Sequence, residues 1–119
     1  MEYAFILALI LGFVVLLMIS GLRESELTMA TGAARSASAD WIAGSGSLRL
    51  ASLETTQNGR SVNFTPVVFY WGGGRVRPLP AELKRFVVGV VRSAVSPPSA
   101  LNGDCFSSVN YDYCVADAP

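Results

Sequence analysis

The chain contains no histidine. That removes imidazole acid–base relays near neutral pH, Ser-His triads and histidine-ligated zinc. It has no excess charge of either sign: nine Lys and Arg balance nine Asp and Glu, a net charge of +0. A protein that tracks a phosphate backbone needs a basic surface, so nucleic acid is not an expected partner. Acidic residues outside the first helix are Glu54, Glu82, Asp104, Asp112 and Asp117. They are scattered and lack the spacing of a metal loop. No metal or cofactor is expected, nothing singles out a catalytic carboxylate pair, and the chain does not read as an enzyme. Gly72-Gly73-Gly74 lacks the Lys-Ser/Thr that completes a P-loop, and a hairpin turn is the expectation there. Cysteine is scarce as well: only Cys105 and Cys114. An even pair in a short tail reads, outside the cell, as one disulfide. Lys and Arg are also absent ahead of the first apolar run, the first being Arg23. A secretory signal peptide opens on positive charge and closes on a small-residue cleavage site, so this run does not read as one.

What is present begins with that run. No charge interrupts the chain from Tyr3 to Leu22. A helix rises about 1.5 Å per residue, so an uncharged run of about 20 residues matches a bilayer core of roughly 30 Å. In lipid the backbone amides of one isolated run are satisfied only by a helix. Glu2 stands at its head, and a carboxylate beside a membrane helix pairs with something or marks a function. One reading makes Glu2 an interfacial residue next to Met1. The other places it at or near a processed N-terminus, with a role in assembly.

The helix is expected to continue past Ser20-Gly21. Leu27, Ala30, Ala34, Ala37 and Trp41 recur at spacings of three and four, which is one helical face. Arg23, Glu24, Arg35 and Asp40 fall largely off it. Gly44-Ser45-Gly46-Ser47 then ends the helix near Ala43. Gly12, Gly21 and Gly32 each cost up to about 1 kcal/mol in a water-exposed helix, but in an apolar bundle small residues let helices approach closely. The Ala-rich stripe fits packing beneath the chain's own domain and packing against other helices, and the two are compatible. The expected division is a helix over 1–43 and a small β-rich domain over 44–119. With about 45 residues of helix removed, roughly 75 remain, near the size at which one core is marginal without a staple.

The second part reads as strands. Leu48-Arg49-Leu50-Ala51-Ser52-Leu53 partly alternates, and Gln57-Asn58-Gly59-Arg60 is a hairpin-turn signal. Residues 61–71 are rich in β-branched and aromatic types. Pro66 within them lacks an amide donor, which predicts an edge strand or a split at a bulge. A short Arg75-Val76-Arg77 follows the glycines. Leu83, Phe86, Val87, Val90, Val91 and Ala94 fit a helical face that Pro80 or Ala81 opens. The β-branched run Phe86-Val87-Val88-Gly89-Val90-Val91 favours a strand over about 85–94 instead, and the strand is the expectation. Ser96-Pro97-Pro98-Ser99 is a spacer. In the tail, closing the Cys105–Cys114 loop stabilises by roughly 2 to 3 kcal/mol, and Tyr111 and Tyr113 are expected over the sheet edge. Asn63-Phe64-Thr65 fits the N-glycosylation acceptor pattern, although the triplet is common by chance and lies within an expected strand. The fold class is α+β: a long N-terminal helix, then a small antiparallel sheet.

Glu2-Tyr3-Ala4-Phe5-Ile6-Leu7-Ala8-Leu9 resembles the opening of the type IV filament superfamily, most nearly archaeal pilins with a class III signal peptide. In those, a short leader and a few residues precede Glu-Tyr or Glu-Phe at the head of an apolar helix. The likeness covers about the first 43 residues and extends to a glycine-closed helix followed by strands. Only Met1 precedes Glu2 here, where the family has several mature residues. Pseudopilin-like proteins of tight-adherence systems share a Glu-Phe-Ala-Leu opening, but carry a helix proline that this chain lacks.

The resemblance implies a filament subunit. Its helix spans the membrane before assembly and joins a helical bundle afterwards, with a prepilin peptidase and an assembly ATPase and platform as partners. By resemblance, Glu2 would neutralise a neighbour's terminal amine, and Phe5, Leu9, Phe13, Leu16 and Leu17 would pack the bundle. Head-to-tail contacts that do not close generate open helical polymers of identical subunits. The mature chain would lie outside the cell and serve adhesion or surface interaction. Two rivals stand beside this reading: a minor pseudopilin of a secretion or tight-adherence system, and a single-pass membrane protein with a small extracellular binding domain.

Overall fold

The structure, a computed structural model, describes residues 2–95 and 103–117; within these, the side chains at 2 and 15–24 are not described. Helix α1 runs Glu2–Ser45. At about 1.5 Å per residue it accounts for most of the 72 Å long dimension of the molecule. It stops at Gly46, whose φ of +74° is the left-handed turn that ends helices at little steric cost for glycine. The Ser45 hydroxyl donates to the Ile42 carbonyl at 2.8 Å.

The second half of α1 is the spine of the core. Ala30, Ala34, Ala37, Ser38 and Ile42 are buried, and Leu27 and Trp41 are half-buried beside them. This is the face that the three-and-four spacing picks out. Ser38 is tolerated there because its hydroxyl donates to the Ala34 carbonyl at 2.7 Å.

Strands β1 (Leu48–Asn58), β2 (Ser61–Tyr70), β3 (Cys105–Ser107) and β4 (Asp112–Val115) form one sheet in the order β1-β2-β4-β3. The β1–β2 hairpin turns through Gly59-Arg60, with only Gly59 at positive φ (+61°). Glycine first in a two-residue loop is the II′ pattern that matches strand twist. The expected antiparallel sheet is corrected in one pair: β2 and β4 run parallel. Parallel neighbours need a long crossover, and helix α2 (Ala81–Ala94) lies within it.

That helix replaces the strand expected over 85–94. Leu83, Val87, Val88 and Val91 are its buried residues, a spacing of four, one and three. Each valine costs up to about 0.7 kcal/mol in helix propensity. Burying its side chain returns roughly 1.5 to 3 kcal/mol, so burial decides. Pro80 stands just ahead of the first turn, where its missing amide has no partner to lose, and its carbonyl accepts from the Lys84 amide. The small side chains of α1 leave room for these valines, and α1, α2 and one sheet face share a single core.

Pro66 is neither on an edge strand nor at a bulge. It pairs with Leu53 in an interior strand. The β4 side of β2 shows why it fits. There the Phe64 carbonyl accepts from Ala116 and the Val68 carbonyl from Val76. Pro66 falls between them, past Val115 at the end of β4, where no ladder needs its amide. The bulge is in β1: Leu50 pairs with Val68 and Ser52 with Val67, leaving Ala51 unmatched. It shifts the alternation by one residue and brings Leu53 onto the face of Leu48 and Leu50. Arg75 contributes a single bridge to Phe69.

The tail is a cross-strand staple. Cys105 and Cys114 face each other on β3 and β4, 4.1 Å apart at Cα, and are joined as a disulfide. Tyr113 does not lie over the sheet edge. It is buried, its ring stacked with Phe64 at 5.9 Å and Phe106 at 5.2 Å between centroids.

A larger side chain at the α1 spine should therefore be poorly tolerated. Ala34→Leu is expected to lower unfolding free energy by about 1 to 3 kcal/mol through overpacking. Ser36→Leu, on the exposed side of the same helix, should change it by less than about 0.5 kcal/mol. Urea titration followed by tryptophan fluorescence measures both.

Candidate functional site

Among the described residues, the side chains over 3–14 at the start of α1 are all exposed. Phe5, Leu9 and Phe13 are 69%, 60% and 64% exposed, and their spacing of four places them on one helical face. Tyr3, Ile6, Leu7, Ile10, Leu11 and Val14 are exposed as well, so the rod is apolar all round. A helix of that kind belongs inside something. Each such side chain gains roughly 1.5 to 3 kcal/mol on full burial. Of the expected assembly residues, the structure thus places Phe5, Leu9 and Phe13 bare on the rod. The side chains of Glu2, Leu16 and Leu17 lie outside the described residues. Among the described residues, no helix is long and apolar enough to cross a membrane.

Where the rod meets the domain, one carboxylate accepts from two hydroxyls. Glu26, on α1, accepts from the Tyr113 hydroxyl at 3.0 Å. It also accepts from the Ser108 hydroxyl at 3.3 Å. The Ser108 oxygen in turn accepts from the Asn110 and Tyr111 amides, at 3.2 and 3.0 Å, which closes a tight turn before β4. Arg60, from the β1–β2 turn, grips the same loop from outside. Its guanidinium donates to the carbonyls of Ser108 (2.6 Å) and Val109 (2.9 Å) and pairs with Asp112 at 3.3 Å. Hydrogen bonding from Ser107 and the neighbouring Arg60 hold the Asp112 carboxyl below its usual value. Burial, reinforced by the Glu26 carboxylate, raises the Tyr113 phenol well above its ordinary value. The junction is a brace. It fixes where the rod leaves the domain.

Sequence reasoning gave Glu26 and Arg60 no role. Glu26 lies 87 residues from Tyr113, and no local spacing signals a bond of that span. The one available cue was a carboxylate beside the first residue of the α1 stripe, Leu27.

Asn63 is exposed on the sheet face turned away from the helices, between Thr56 on β1 and Cys114 on β4. Thr65 of its acceptor triplet is buried. The second brace is Lys84, which pairs with Asp104 at 3.7 Å and Asp117 at 3.3 Å, while Asp117 also accepts from the Leu79 amide. It ties the start of α2 to the tail.

The chain matches no family model, no curated protein and no solved structure.

The brace predicts a pH dependence. A phenol whose folded value is raised contributes stability that is fully present below the unfolded value of about 10 and is lost as pH rises through the folded value. Stability should therefore decline above about pH 10. Tyr113→Phe should cost about 1.5 to 3 kcal/mol near neutrality, since the acceptor is charged, and should flatten the alkaline decline. Urea unfolding across pH measures both effects.

Proposed function

We propose that this chain is the structural subunit of an extracellular type IV-like filament, held together by the apolar first half of α1. The single observation that carries the reading is the bare rod: a helix apolar on every side, continuous with a helix that forms the spine of a packed domain. Three further features support it. The opening Glu2-Tyr3-Ala4-Phe5 resembles the head of archaeal pilins with a class III signal peptide. The uncharged sequence from Tyr3 to Leu22 suits a helix stored in lipid and later transferred to a bundle. Glu26 ties α1 to Tyr113 and Ser108 of the domain and Arg60 holds the same turn, a path by which force on the helix reaches the sheet.

In this mechanism the subunit waits with its rod in the membrane and its domain outside. An assembly platform extracts it, and the rods exchange lipid for one another. Lipid tails are as apolar as leucine, so the exchange is driven by close packing and by pairing of polar groups. Phe5, Leu9, Phe13, Leu16 and Leu17 supply the packing. Glu2 supplies the pairing, by meeting the terminal amine of the subunit already in place. A carboxylate in an apolar bundle is costly alone and favourable with a cation beside it. The domains, stapled by Cys105–Cys114, coat the outside.

Electron microscopy of sheared cell-surface material, with the chain identified by mass spectrometry, tests the reading. The expected result is a filament whose main component is this protein. Recovery of the chain only with membranes would end the proposal. Glu2→Ala should still insert into membranes yet reduce filament yield at least about tenfold, the effect of about 1.4 kcal/mol per docking event. Wild-type yield from that variant would remove the role given to Glu2.

A further inference from the structure

We infer that the sheet face turned away from the helices binds an acidic polysaccharide through Arg49, Arg75 and Arg77. As the attachment surface of a filament, this rests on the reading above; as a binding surface of the chain, it does not.

The placement follows from register. Val62, Phe64 and Val68 face the core, so Arg49 and Phe69, which pair directly, face the other way. The Arg49 guanidinium lies 4.8 Å from the Phe69 ring centroid, which confirms that they share this face. Arg75 bridges Phe69 from its other side. The three residues therefore form one row across the sheet, Arg49 and Arg75 separated by roughly 10 Å, two strand spacings. Val76 is buried and donates its amide to Val68. Arg77, two residues beyond Arg75, is exposed at the same end of the sheet. Trp71, 67% exposed, closes the same end of the sheet just beyond Tyr70.

No carboxylate among the described residues pairs with these three arginines. The described ion pairs join Arg60 to Asp112 and Lys84 to Asp104 and Asp117. Glu54 stands on the same face, farther along β1 opposite Thr65. A neutral protein thus carries an uncompensated cationic row.

The chemistry of that row selects its ligand. Planar guanidinium forks match carboxylates with paired hydrogen bonds. Stacking on Phe69 orders the Arg49 plane and leaves its donors free. The indole of Trp71 offers a flat face against which the C–H side of a sugar ring can lie. A single-stranded nucleic acid uses a succession of stacking platforms. Here Phe69 is covered by Arg49, and Trp71 and Tyr70 at the end of the sheet are too few for such a succession. Three charges are also few for a duplex, whose binding grows with each phosphate neutralised.

The test titrates the full chain, in neutral detergent, with polygalacturonate, dextran and oligo-dT. Polygalacturonate should bind, dextran and oligo-dT more weakly, and added salt should weaken the complex. R49Q/R75Q/R77Q together should lower affinity at least about tenfold, R77Q alone by about two- to fourfold, and R85Q on α2 not at all. R77Q guards against a folding defect, since Arg77 supports no described contact. Absent polygalacturonate binding, equal binding of dextran, tighter binding of oligo-dT, or full affinity in the triple variant would each overturn the inference. Binding by a chain that never forms filaments would uphold this surface while removing the filament reading; filaments without binding would do the reverse.

Discussion

The hydroxyl of Tyr113 ties the long helix to the sheet where the rod leaves the domain. Its ring is packed between Phe64 and Phe106 in the sheet, and its oxygen reaches Glu26 on the long helix. A second bond, from the Ser108 hydroxyl, reaches the same carboxylate. The rest of the buried face of α1 is mostly alanine, with Ile42, Leu27 and Trp41 the larger side chains. The alanines matter less here: they bury little area each, so their contribution to fixing direction is small. A charge-assisted bond from a fully packed aromatic ring fixes direction, because the ring cannot swing without emptying the core. Arg60 extends the constraint. By gripping the carbonyls of Ser108 and Val109 it prevents the turn ahead of Tyr113 from peeling away.

The same helix has two opposite solvation problems. From Tyr3 to Val14 its large side chains stand bare. From Ala30 onward its buried face is small and closely covered. Large apolar side chains without a cover suit an environment supplied by other molecules. Small ones suit a partner fixed in advance, since an alanine surface gains only when a complementary ridge is already in place. Helix α2 is that ridge, and its valines meet the alanines in a space that longer side chains on either helix would overfill. The change of side-chain size along α1 marks where a bare apolar surface gives way to intramolecular packing.

Much of this was legible because it is local. The end of α1 at a glycine, the Gly59-Arg60 turn, the β-branched run of β2 and the pairing of Cys105 with Cys114 each depend on neighbours in sequence. The rest depends on what the neighbours pack against. Residues 81–94 carry both a helical spacing and a β-branched composition, and composition misleads because burial of Val87, Val88 and Val91 outweighs propensity. Pro66 reads as an edge residue, and its edge is real but only one residue wide, created where β4 runs out. The parallel pairing of β2 with β4 follows from the crossover through α2, so the error over α2 carried the error over sheet type with it. The Glu26–Tyr113 bond joins residues near opposite ends of the chain, and nothing short of the fold brings them together.

A balanced charge count concealed the most asymmetric feature of the surface. The count sums over the molecule, but the sums are segregated by what each charge does. Glu26, Asp104, Asp112 and Asp117 are engaged in braces that hold the rod, the tail and the start of α2. Lys84 and Arg60 answer them there. Arginines on the outer sheet face are left with an aromatic ring for company and no carboxylate among the described residues. A ring attracts a cation without neutralising it, so Phe69 orders Arg49 while leaving its field intact. Within about one Debye length, roughly 8 Å at physiological salt, a ligand at that face meets the arginines and little of the acids that balance them in the total. Net neutrality excludes long-range steering by the whole protein. It leaves short-range recognition by one face open, and the sheet register is what assembles that face.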